Sequence, residues 1–405
     1  MRAKQRTVLL AALSLAVIAV LGGMLYQAHT AIEDYRAQIQ ASQTYALAEL
    51  TDNLTRIEAA LQKWRYATSP AMITALSTEL YIHTATARMA AEGLPDELDG
   101  LDETWAFLTQ VGDYAHARIR TAYEIDDHIT EDHAHLTALT ATAAVLTRKL
   151  SDLRTEPLAV PAMAGVTRTR PPANAADTEV TRRAAKEVAA EFFDLKRELF
   201  SYTGIRETPI PVYTFAARVD GGEFTVAVSR EGGRVVSASS DRTVRRAPLT
   251  GPEGKKVARA FLADNGFDTM EESRWRILAN QITVSFIHVE DDILHYPDTI
   301  QVSVALDNGR ITSFSALEYL QTHRPRDLDS PKISAEEAQA AVPDALSVLA
   351  HSLALIQIGG AELLSYEFKC IAEDGQRVLV YVSAATGRQL EILLLTEDES
   401  GRYVR

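Results

Sequence analysis

The chain has 405 residues and a formal net charge of −14, with 46% hydrophobic and 24% charged residues. This length exceeds that of one typical domain and predicts about two to four domains. The composition is that of folded globular proteins rather than of disordered chains. The acidic balance argues against nucleic acid as a partner. Because Cys370 is the only cysteine, the chain can form no intramolecular disulfide and no cysteine-based metal site.

Residues 1–29 are predicted to form a short cytoplasmic tip and a transmembrane anchor. The stretch from Thr7 through Leu15 to Tyr26 carries no charge. At ~1.5 Å per residue it would reach about 30 Å, the thickness of the hydrocarbon core of a bilayer. Three basic residues precede it and are expected to stay in the cytoplasm, so that the rest of the chain lies outside. The alternative is a cleaved signal peptide, although this apolar stretch is longer than is usual for one.

Residues 30–155 are predicted to form an antiparallel bundle of four amphipathic helices. Apolar residues recur there at spacings of three and four, as on one face of a helix. Ser69 and Pro70 indicate a helix start, because serine is a favourable N-cap and proline suits the first helical position. Gly112 interrupts the apolar face of the third helix and indicates close approach of a neighbouring helix. The predicted core includes Leu47, Leu50, Leu54, Ile57, Leu61, Trp64, Leu101, Trp105, Leu108, Ala115, Ile119, Ile129, Leu136, Leu139, Ala143, Leu146, Leu150 and Leu153.

Histidines near the start of the fourth predicted helix raise the alternative of a metal site. His128, Asp132 and His135 lie at i, i+4 and i+7, with His133 nearby, and metal sites on helices use such spacing. Acidic and polar residues are also expected at a helix start, where they interact favourably with the helix dipole. Neither an HExxH motif nor a second ligand cluster accompanies them. A solvated helix start is therefore the favoured interpretation, and we predict no metal site.

Residues 156–177 contain four prolines without periodicity and are predicted to be an extended linker. One pattern then recurs in three repeats, residues 178–249, 250–328 and 329–405. Each repeat contains Val-x-Val followed, seven residues after the first valine, by Gly-Arg. The alternation predicts a half-buried strand and the glycine predicts a turn with positive φ, so each repeat is expected to contain a β-hairpin. The turn residues are Gly233 and Arg234, Gly309 and Arg310, and Gly387 and Arg388.

A helix is predicted before each hairpin. The first runs from Thr178 to about Phe200, and capping-box patterns open the other two at Thr250 and Ser334. Pro343 is expected to end or kink the third helix. Further strands are predicted at 213–219, 282–289 and 363–372. The predicted fold class is multidomain α and α+β: an N-terminal transmembrane helix, an antiparallel helical bundle, and three modules that each combine a helix with an antiparallel sheet.

The repeats resemble the PepSY domain, in which a helix opened by Ser/Thr-x-x-Glu precedes strands that end in a polar-Gly-Arg/Lys hairpin. PepSY modules occur in protease propeptides and in membrane-anchored proteins outside the cell. The whole layout resembles the YpeB germination proteins of endospore-forming bacteria over essentially the full length. Its most specific part is Val111, Gly112 and Asp113, within residues 105–115, which are similar to the family's Phe-Leu-x-x-Val-Gly-Asp-Phe/Tyr stretch.

The resemblance implies a single-pass protein of the inner spore membrane whose bulk lies outside the cytoplasm and faces the cortex peptidoglycan. It implies a role in spore germination as a scaffold that localises, stabilises and restrains a SleB-type cortex-lytic enzyme. The implied partners are that enzyme, membrane lipid through one transmembrane helix, and peptidoglycan. The family provides no catalytic residues to carry over, and the resemblance implies neither a cofactor nor a metal.

A search for catalytic motifs favours the same non-enzymatic interpretation. The sequence has neither a G-x-S-x-G nucleophile motif nor a Gly-x-x-x-x-Gly-Lys loop. Cys370 falls in a predicted strand and is interpreted as a buried structural thiol. His288 and His295 flank an acidic segment that could form a weak metal site or a pH-sensitive site, but an exposed loop is favoured. The basic cluster Arg242, Arg245 and Arg246 could meet an acidic partner, teichoic acid or lipid headgroups, although a solvated turn is favoured.

Three other functions stay open on the sequence alone. A helical bundle behind a transmembrane helix is common in extracytoplasmic sensors, although only six residues precede the predicted membrane segment and leave no cytoplasmic output domain. The PepSY resemblance leaves a protease-inhibitor-like role open. A peptidoglycan hydrolase would use paired carboxylates such as Glu271 and Glu272, but solvated charge and helix capping are the favoured explanation of such pairs.

Overall fold

A computed structural model describes residues 33, 35, 37–95, 98–121, 129–153 and 179–404. The chain divides into two compact units, one with residues 1–65 and 74–161 and the other with residues 66–73 and 162–405. In the described ranges, no helix is both long and apolar enough to cross a membrane. The predicted anchor with Thr7, Leu15 and Tyr26 lies outside the described residues, as do His128 and the predicted linker. These expectations therefore stay predictions.

The first unit consists of helices whose apolar faces are mostly buried, as their spacing predicts. These helices are α1 (37–64), α2 (Pro70–Ala91), α3 (Leu101–Thr121) and α4 (Ile129–Asp152), although the first four residues of α2 are grouped with the second unit. Leu50, Leu54 and Leu61 of α1 are fully buried. Leu47 and Ile119 are only half-buried, and the prediction of Leu153 as a core residue was wrong, because its side chain is exposed just beyond the end of the last helix. Ser69 caps α2, because its Oγ accepts a hydrogen bond from the backbone N–H of Met72 at 3.2 Å. The predicted helix start at Ser69 and Pro70 is thereby confirmed.

Helices α2 and α3 approach each other closely at Gly112, as the break in the apolar face predicts. A β-carbon at Gly112 would lie only 3.2 Å from Cγ2 of Thr84 on α2. Trp64 is buried as predicted, but Trp105 is only half-buried. The guanidinium of Arg88 lies 5.8 Å from the centre of the Trp105 ring. The Trp105 ring thus partly covers a charged side chain at the helix surface. The prediction of Trp105 as a core residue was wrong.

The second unit is α+β. Its helices are α5 (Arg182–Phe192), α6 (Gly251–Asp264), α7 (Leu317–Thr322) and α8 (Ala335–Gln339), with a turn of 3-10 helix at Arg197–Leu199. Its strands are β1 (Ser201–Arg206), β2 (Val212–Val219), β3 (Gly222–Ser229), β4 (Val235–Ser240), β5 (Met270–Leu278), β6 (Gln281–Glu290), β7 (Ile293–Ala305), β8 (Ile311–Ser315), β9 (Leu346–Ile358), β10 (Ala361–Ala372), β11 (Arg377–Ser383), β12 (Gln389–Asp398) and β13 (Gly401–Val404).

All of these strands belong to one sheet of thirteen within the described residues, in the order β1-β2-β3-β4-β8-β7-β6-β5-β13-β12-β11-β10-β9. A parallel pairing also joins β7 to β9 through residues 293–295 and 353–355. This pairing closes a ring of eight strands, formed by β5–β7 and β9–β13. The sequence pattern predicts separate modules, whereas the strands of the second and third repeats are joined in this ring.

The three predicted hairpins share one turn geometry. The φ angles of Gly233, Gly309 and Gly387 are +60°, +72° and +68°, the positive values that the repeat predicts. In each hairpin a backbone hydrogen bond runs to the carbonyl of the arginine that follows the glycine. These bonds are Ser229 to Arg234 (2.8 Å), Ala305 to Arg310 (2.9 Å) and Ser383 to Arg388 (2.9 Å). The pairing register also shifts at the same point of each hairpin, which indicates a recurrent β-bulge.

Each turn glycine lies beside the residue that precedes a helix N-cap. A β-carbon would crowd the side chain of that residue at Gly233 and Gly387 and would be in ordinary contact with it at Gly309. The three contacts are Gly233 with Val180 (3.1 Å), Gly309 with Leu249 (3.5 Å) and Gly387 with Ile333 (3.3 Å). The predicted capping boxes at Thr250 and Ser334 are confirmed, and Thr181 caps α5 in a similar way. The repeat therefore couples each hairpin turn to the start of its helix.

Several element boundaries differ from those predicted. Helix α5 ends at Phe192 rather than near Phe200, because Asp194 has a φ of +49° and the chain turns toward β1. Helix α8 ends at Gln339, before Pro343, and is only one turn long. Strands β1, β5, β9 and β13 were not predicted. Their polar and apolar residues alternate weakly, because much of their surface faces solvent or the inside of the ring.

Replacing Gly233 with alanine is expected to lower the free energy of unfolding of the second unit by more than the same change at Gly221. Both glycines have positive φ, +60° and +84°, so alanine would cost about 1–2 kcal/mol at either site. Only at Gly233 would the new methyl group also press on Val180, because no atom lies within 4 Å at Gly221. Urea unfolding of the two variants measures this difference. Equal decreases in the free energy of unfolding would contradict the coupling of turn and helix.

Candidate functional site

The ring of eight strands encloses a cavity of about 520 Å³ that is partly open to solvent. Every strand of the ring contributes to its lining. The volume falls in the range of about 300–1,000 Å³ that is usual for small-molecule sites. The apolar part of the lining includes Leu294, Ile356, Leu379, Leu393 and Val404, which pack together as a separate cluster from the main core. The cavity can therefore accommodate an apolar group.

A buried carboxylate forms the polar centre of this cavity. Glu367 is 1% exposed and accepts hydrogen bonds from the hydroxyls of Tyr296 and Tyr381, the latter at 2.8 Å. Burial, followed by the negative charge of Glu367, raises the pKa of Tyr296. Burial also raises the pKa of Tyr381, with smaller effects from Tyr296 and Glu367. Both phenols are therefore neutral hydrogen-bond donors at physiological pH.

Cys370 also lines the cavity. Its side chain is almost fully buried, and burial raises the pKa of its thiol to about 12. A thiol with such a pKa is protonated at neutral pH and is a poor nucleophile. The prediction of a buried thiol is confirmed.

A second buried polar cluster lies where the segment after α7 meets β7 and β10. The Arg326 side chain is 4% exposed and donates to both carboxylate oxygens of Asp298, at 2.8 and 2.9 Å. The same guanidinium donates to Glu362 of β10 at 2.8 and 3.0 Å. Asp298 also accepts hydrogen bonds from His323 and Thr322. Although burial alone would raise it, these hydrogen bonds hold the pKa of Asp298 well below its usual range.

His288 and His295 belong to this cluster and are buried, so their interpretation as part of an exposed loop was wrong. They face each other across the β6–β7 hairpin, with ring centres 5.5 Å apart. Burial, and then the charge of Arg326, lower the pKa of His295. Burial and the nearby His323 lower the pKa of His288. In the described residues no group of side chains has the composition and spacing of a metal site.

The second unit is expected to lose stability as the pH falls below about 6.5, the unfolded pKa of histidine. Because the folded pKa values of His288 and His295 are lowered, the unfolded chain binds protons more readily, and stability is present above that pH and lost below it. The charged and titratable groups that face the pair are Asp298, Glu290, His323, Arg326 and Tyr319.

Chemical unfolding at pH 7.5 and pH 5.5 measures this loss. His83 in the first unit also has a pKa lowered by burial, so the parent protein is compared with a His288→Gln/His295→Gln variant. The variant is expected to lose less stability on acidification. An identical loss in both proteins would contradict a role of this histidine pair.

The residues predicted from the sequence as functional are spread over both units. On α3, Val111 is fully buried, whereas Asp113 is exposed. The turn arginines Arg234, Arg310 and Arg388 are all exposed. None of these residues lines the cavity. Their functional importance stays a prediction.

The basic cluster after the first repeat is partly structural. Arg242 forms a two-bond ion pair with Asp307, at 2.7 and 2.9 Å, and its side chain is largely buried. The interpretation as a solvated turn is therefore wrong for Arg242, while Arg245 and Arg246 are exposed. This contact joins the segment after β4 to the β7–β8 turn.

Two family models match the chain. A model described as YpeB N-terminal matches residues 31–159. A model described as YpeB sporulation, PepSY1 and PepSY2 domains matches residues 161–329. Together they cover well over half of the chain, and neither describes an enzyme family.

Similar proteins agree with this assignment. Curated sporulation proteins YpeB are 27% identical in Halalkalibacterium halodurans and 28% identical in Bacillus subtilis, each over 55% of this chain and 50% of the relative. The chain thus spans about half the length of the curated relatives it matches. The structure of the Bacillus megaterium YpeB C-terminal domain is 25% identical, covers 54% of this chain and 99% of that domain, and has a TM-score of 0.50. The chain belongs to the YpeB family of sporulation proteins.

Proposed function

We propose that the chain is a membrane-anchored extracytoplasmic scaffold that acts in spore germination and is not an enzyme. In this proposal it localises, stabilises and restrains a SleB-type cortex-lytic enzyme at the inner spore membrane. The observation that carries the proposal is the match of both parts of the chain to YpeB family models. The uncharged stretch at residues 7–26 would supply the single transmembrane anchor, and the cortex peptidoglycan would lie close to the exposed units.

The domain organisation that we propose retains three PepSY-like modules. The family model covers the first two, up to residue 329. Residues 329–405 are assigned as the third because their hairpin repeats the turn of the others and meets a capped helix in the same way. Each module would then present one exposed arginine at its turn.

Strand β1 is a suitable place for a partner to dock. Within the described residues it pairs with β2 alone and forms an edge of the sheet. It exposes the apolar side chains of Tyr202 and Ile205, the latter by 47%. An exposed edge strand with apolar side chains can pair with an extended segment of another chain. We therefore expect an extended segment of the lytic enzyme to add to this edge.

Pull-down from spores in which this chain is the only YpeB-family protein tests the scaffold. The lytic enzyme is expected to be recovered with the parent chain, and its level is expected to fall in a deletion strain. Ile205→Lys is expected to reduce recovery, while Leu278→Lys serves as the control because Leu278 is also exposed, by 68%, but lies on β5. Failure to recover the enzyme, together with normal enzyme levels in the deletion strain, would contradict the proposal.

A sensor is the second candidate function, and the partly open cavity of the strand ring is the observation that favours it. A sensor would bind a small molecule in the cavity and change its affinity for the lytic enzyme. The same pull-down, with and without a small molecule bound in the cavity, distinguishes a sensor from a simple scaffold. A simple scaffold would recover the same amount of enzyme under both conditions.

A further inference from the structure

The carboxylate at the centre of the strand ring has only a weak partner for its charge. Both tyrosine hydroxyls bind one oxygen of Glu367, Oε2. Because the phenols are neutral, they donate hydrogen bonds to the carboxylate without cancelling its charge. Within the described residues Lys369 is the only ion-pair partner of Glu367, with its Nζ 3.7 Å from Oε1 and its side chain 51% exposed. This separation is longer than that of a hydrogen bond.

The second oxygen of Glu367, Oε1, is open to the cavity. It accepts no hydrogen bond from the described residues, and it is not among their fully buried polar atoms that lack one. Because Glu367 lines the cavity, the surface that Oε1 retains faces that space. A buried charge is favourable only when it is paired, so a cationic donor placed at Oε1 would be stabilised.

The strand register places apolar side chains beside this carboxylate. Glu367 pairs with Tyr381, and two residues along each strand Lys369 pairs with Leu379. Leu379 in turn pairs with Leu393 of β12. Directly paired residues project from the same face of a sheet, as do residues two apart on one strand. A ligand whose cationic group meets Glu367 would therefore contact the two leucines with its adjoining carbon atoms.

The charges of the lining also favour a cation. Five glutamates and four cationic side chains line the cavity. Two of the cations, Arg377 and Arg402, pair with Glu397, which does not line it, at 2.6 and 3.0 Å. One of the glutamates, Glu272, likewise pairs outside the lining, with Lys255 at 2.9 Å. Outside these pairs the lining glutamates outnumber the lining cations by four to two, so a positive ligand matches the cavity better than a negative one.

We propose that this cavity binds a primary alkylammonium, whose nitrogen donates to Oε1 of Glu367 while its alkyl chain lies against Leu379 and Leu393. An ammonium group is compact and carries three donors, and its alkyl stem suits an apolar wall. Binding does not depend on whether the chain also holds a lytic enzyme. A free diamine and the side chain of a diamino acid in a peptide share this chemistry, and the binding test distinguishes them.

Calorimetric titration of the full chain in detergent tests the site. The probes are pentylamine, cadaverine, acetyl-lysine amide and the neutral analogue pentanol. Pentylamine is expected to bind about tenfold more tightly than pentanol, because only the ammonium forms charge-assisted hydrogen bonds. The stronger of cadaverine and acetyl-lysine amide identifies the source as a free diamine or a peptide. Absence of binding by every amine to the folded protein, or equal binding of pentylamine and pentanol, would overturn the proposal.

Variants locate the binding at the carboxylate. Glu367→Gln is expected to weaken binding of pentylamine about tenfold and to leave binding of pentanol unchanged, because glutamine keeps an oxygen for the tyrosines but loses the charge. Glu373→Gln is the matched control, because Glu373 lies in the turn after β10, is exposed and does not line the cavity. Melting temperatures confirm that the variants are folded.

A variant that gains affinity provides an independent test. Lys369→Met removes the cation that competes for Oε1, so it is expected to strengthen binding of pentylamine. A merely structural role of Glu367 would give no such gain. Equal affinity of the parent, Glu367→Gln and Lys369→Met for pentylamine would overturn the assignment.

Discussion

Replacing Arg326 with methionine is expected to lower the free energy of unfolding of the second unit by about 3–5 kcal/mol. Methionine would leave the carboxylates of Asp298 and Glu362 without their main cationic partner. Asp298 is fully buried. The neighbouring Arg324 does not replace these hydrogen bonds, because it reaches only Glu362. Because Asp298 lies on β7 and Glu362 on β10, the loss would act where the strand ring is joined.

Chemical denaturation of the purified variant measures this effect. Arg324→Met is the matched control, since Arg324 also pairs with Glu362, at 2.9 Å, but its side chain is 61% exposed. An exposed pair contributes about 0–1 kcal/mol, so the control is expected to lose little stability. If the free energy of unfolding falls no more in Arg326→Met than in Arg324→Met, Arg326 does not stabilise the place where β7 and β10 meet.

Replacing Phe314 with alanine is expected to lower the free energy of unfolding of the second unit by a similar amount, about 3–5 kcal/mol. Phe314 of β8 is almost fully buried, and its ring packs edge-on against Phe192 of α5 and Phe261 of α6, with centres 4.9 and 5.9 Å apart. Alanine would leave a cavity between both helices and the sheet. The two helices would lose their common contact at the same time.

The comparison with Phe314→Leu isolates the aromatic part of this effect. Leucine fills most of the space, so the loss is expected to be smaller than with alanine. Leu349→Ala provides the control, because Leu349 is 61% exposed and its truncation should change stability little. A loss at Phe314 as small as that at Leu349 would contradict a shared aromatic core.

The hairpin turns and helix starts were predictable because their signals are local. A glycine followed by arginine after an alternating strand predicts the turns at Gly309 and Gly387, and Thr250 and Ser334 predict their helices. Each signal depends on a few neighbouring residues and on backbone chemistry. The close contact at Gly112 was also predictable, because glycine interrupts an apolar helical face.

Closure of the ring could not be predicted from the sequence. The parallel contact between β7 and β9 involves residues far apart in the chain, and nothing in either strand specifies the partner. The role of Glu367 was missed for the same reason, since its two tyrosine partners come from other strands. A signal was present, however: a glutamate stands between Tyr366 and Phe368 in an otherwise largely apolar strand.

His288 and His295 were misread because the acidic residues beside them indicate a loop. The turn between the strands is only two residues long, Asp291 and Asp292, whose φ angles of +50° and +62° fit a tight hairpin. Both strands therefore continue to the turn and carry the histidines into a buried position. Arg326 was overlooked because it lies in a segment without periodicity, where charged residues are expected to be solvated.

Titration of the purified full-length chain against a SleB-type cortex-lytic enzyme tests the scaffold most directly. Binding and lysis of cortex fragments are measured in the same samples, with the chain held in detergent. We predict saturable binding and a matching decrease in lysis as the chain is added. Lysis that is unchanged by a folded chain, with no binding, would contradict a scaffold that restrains the enzyme.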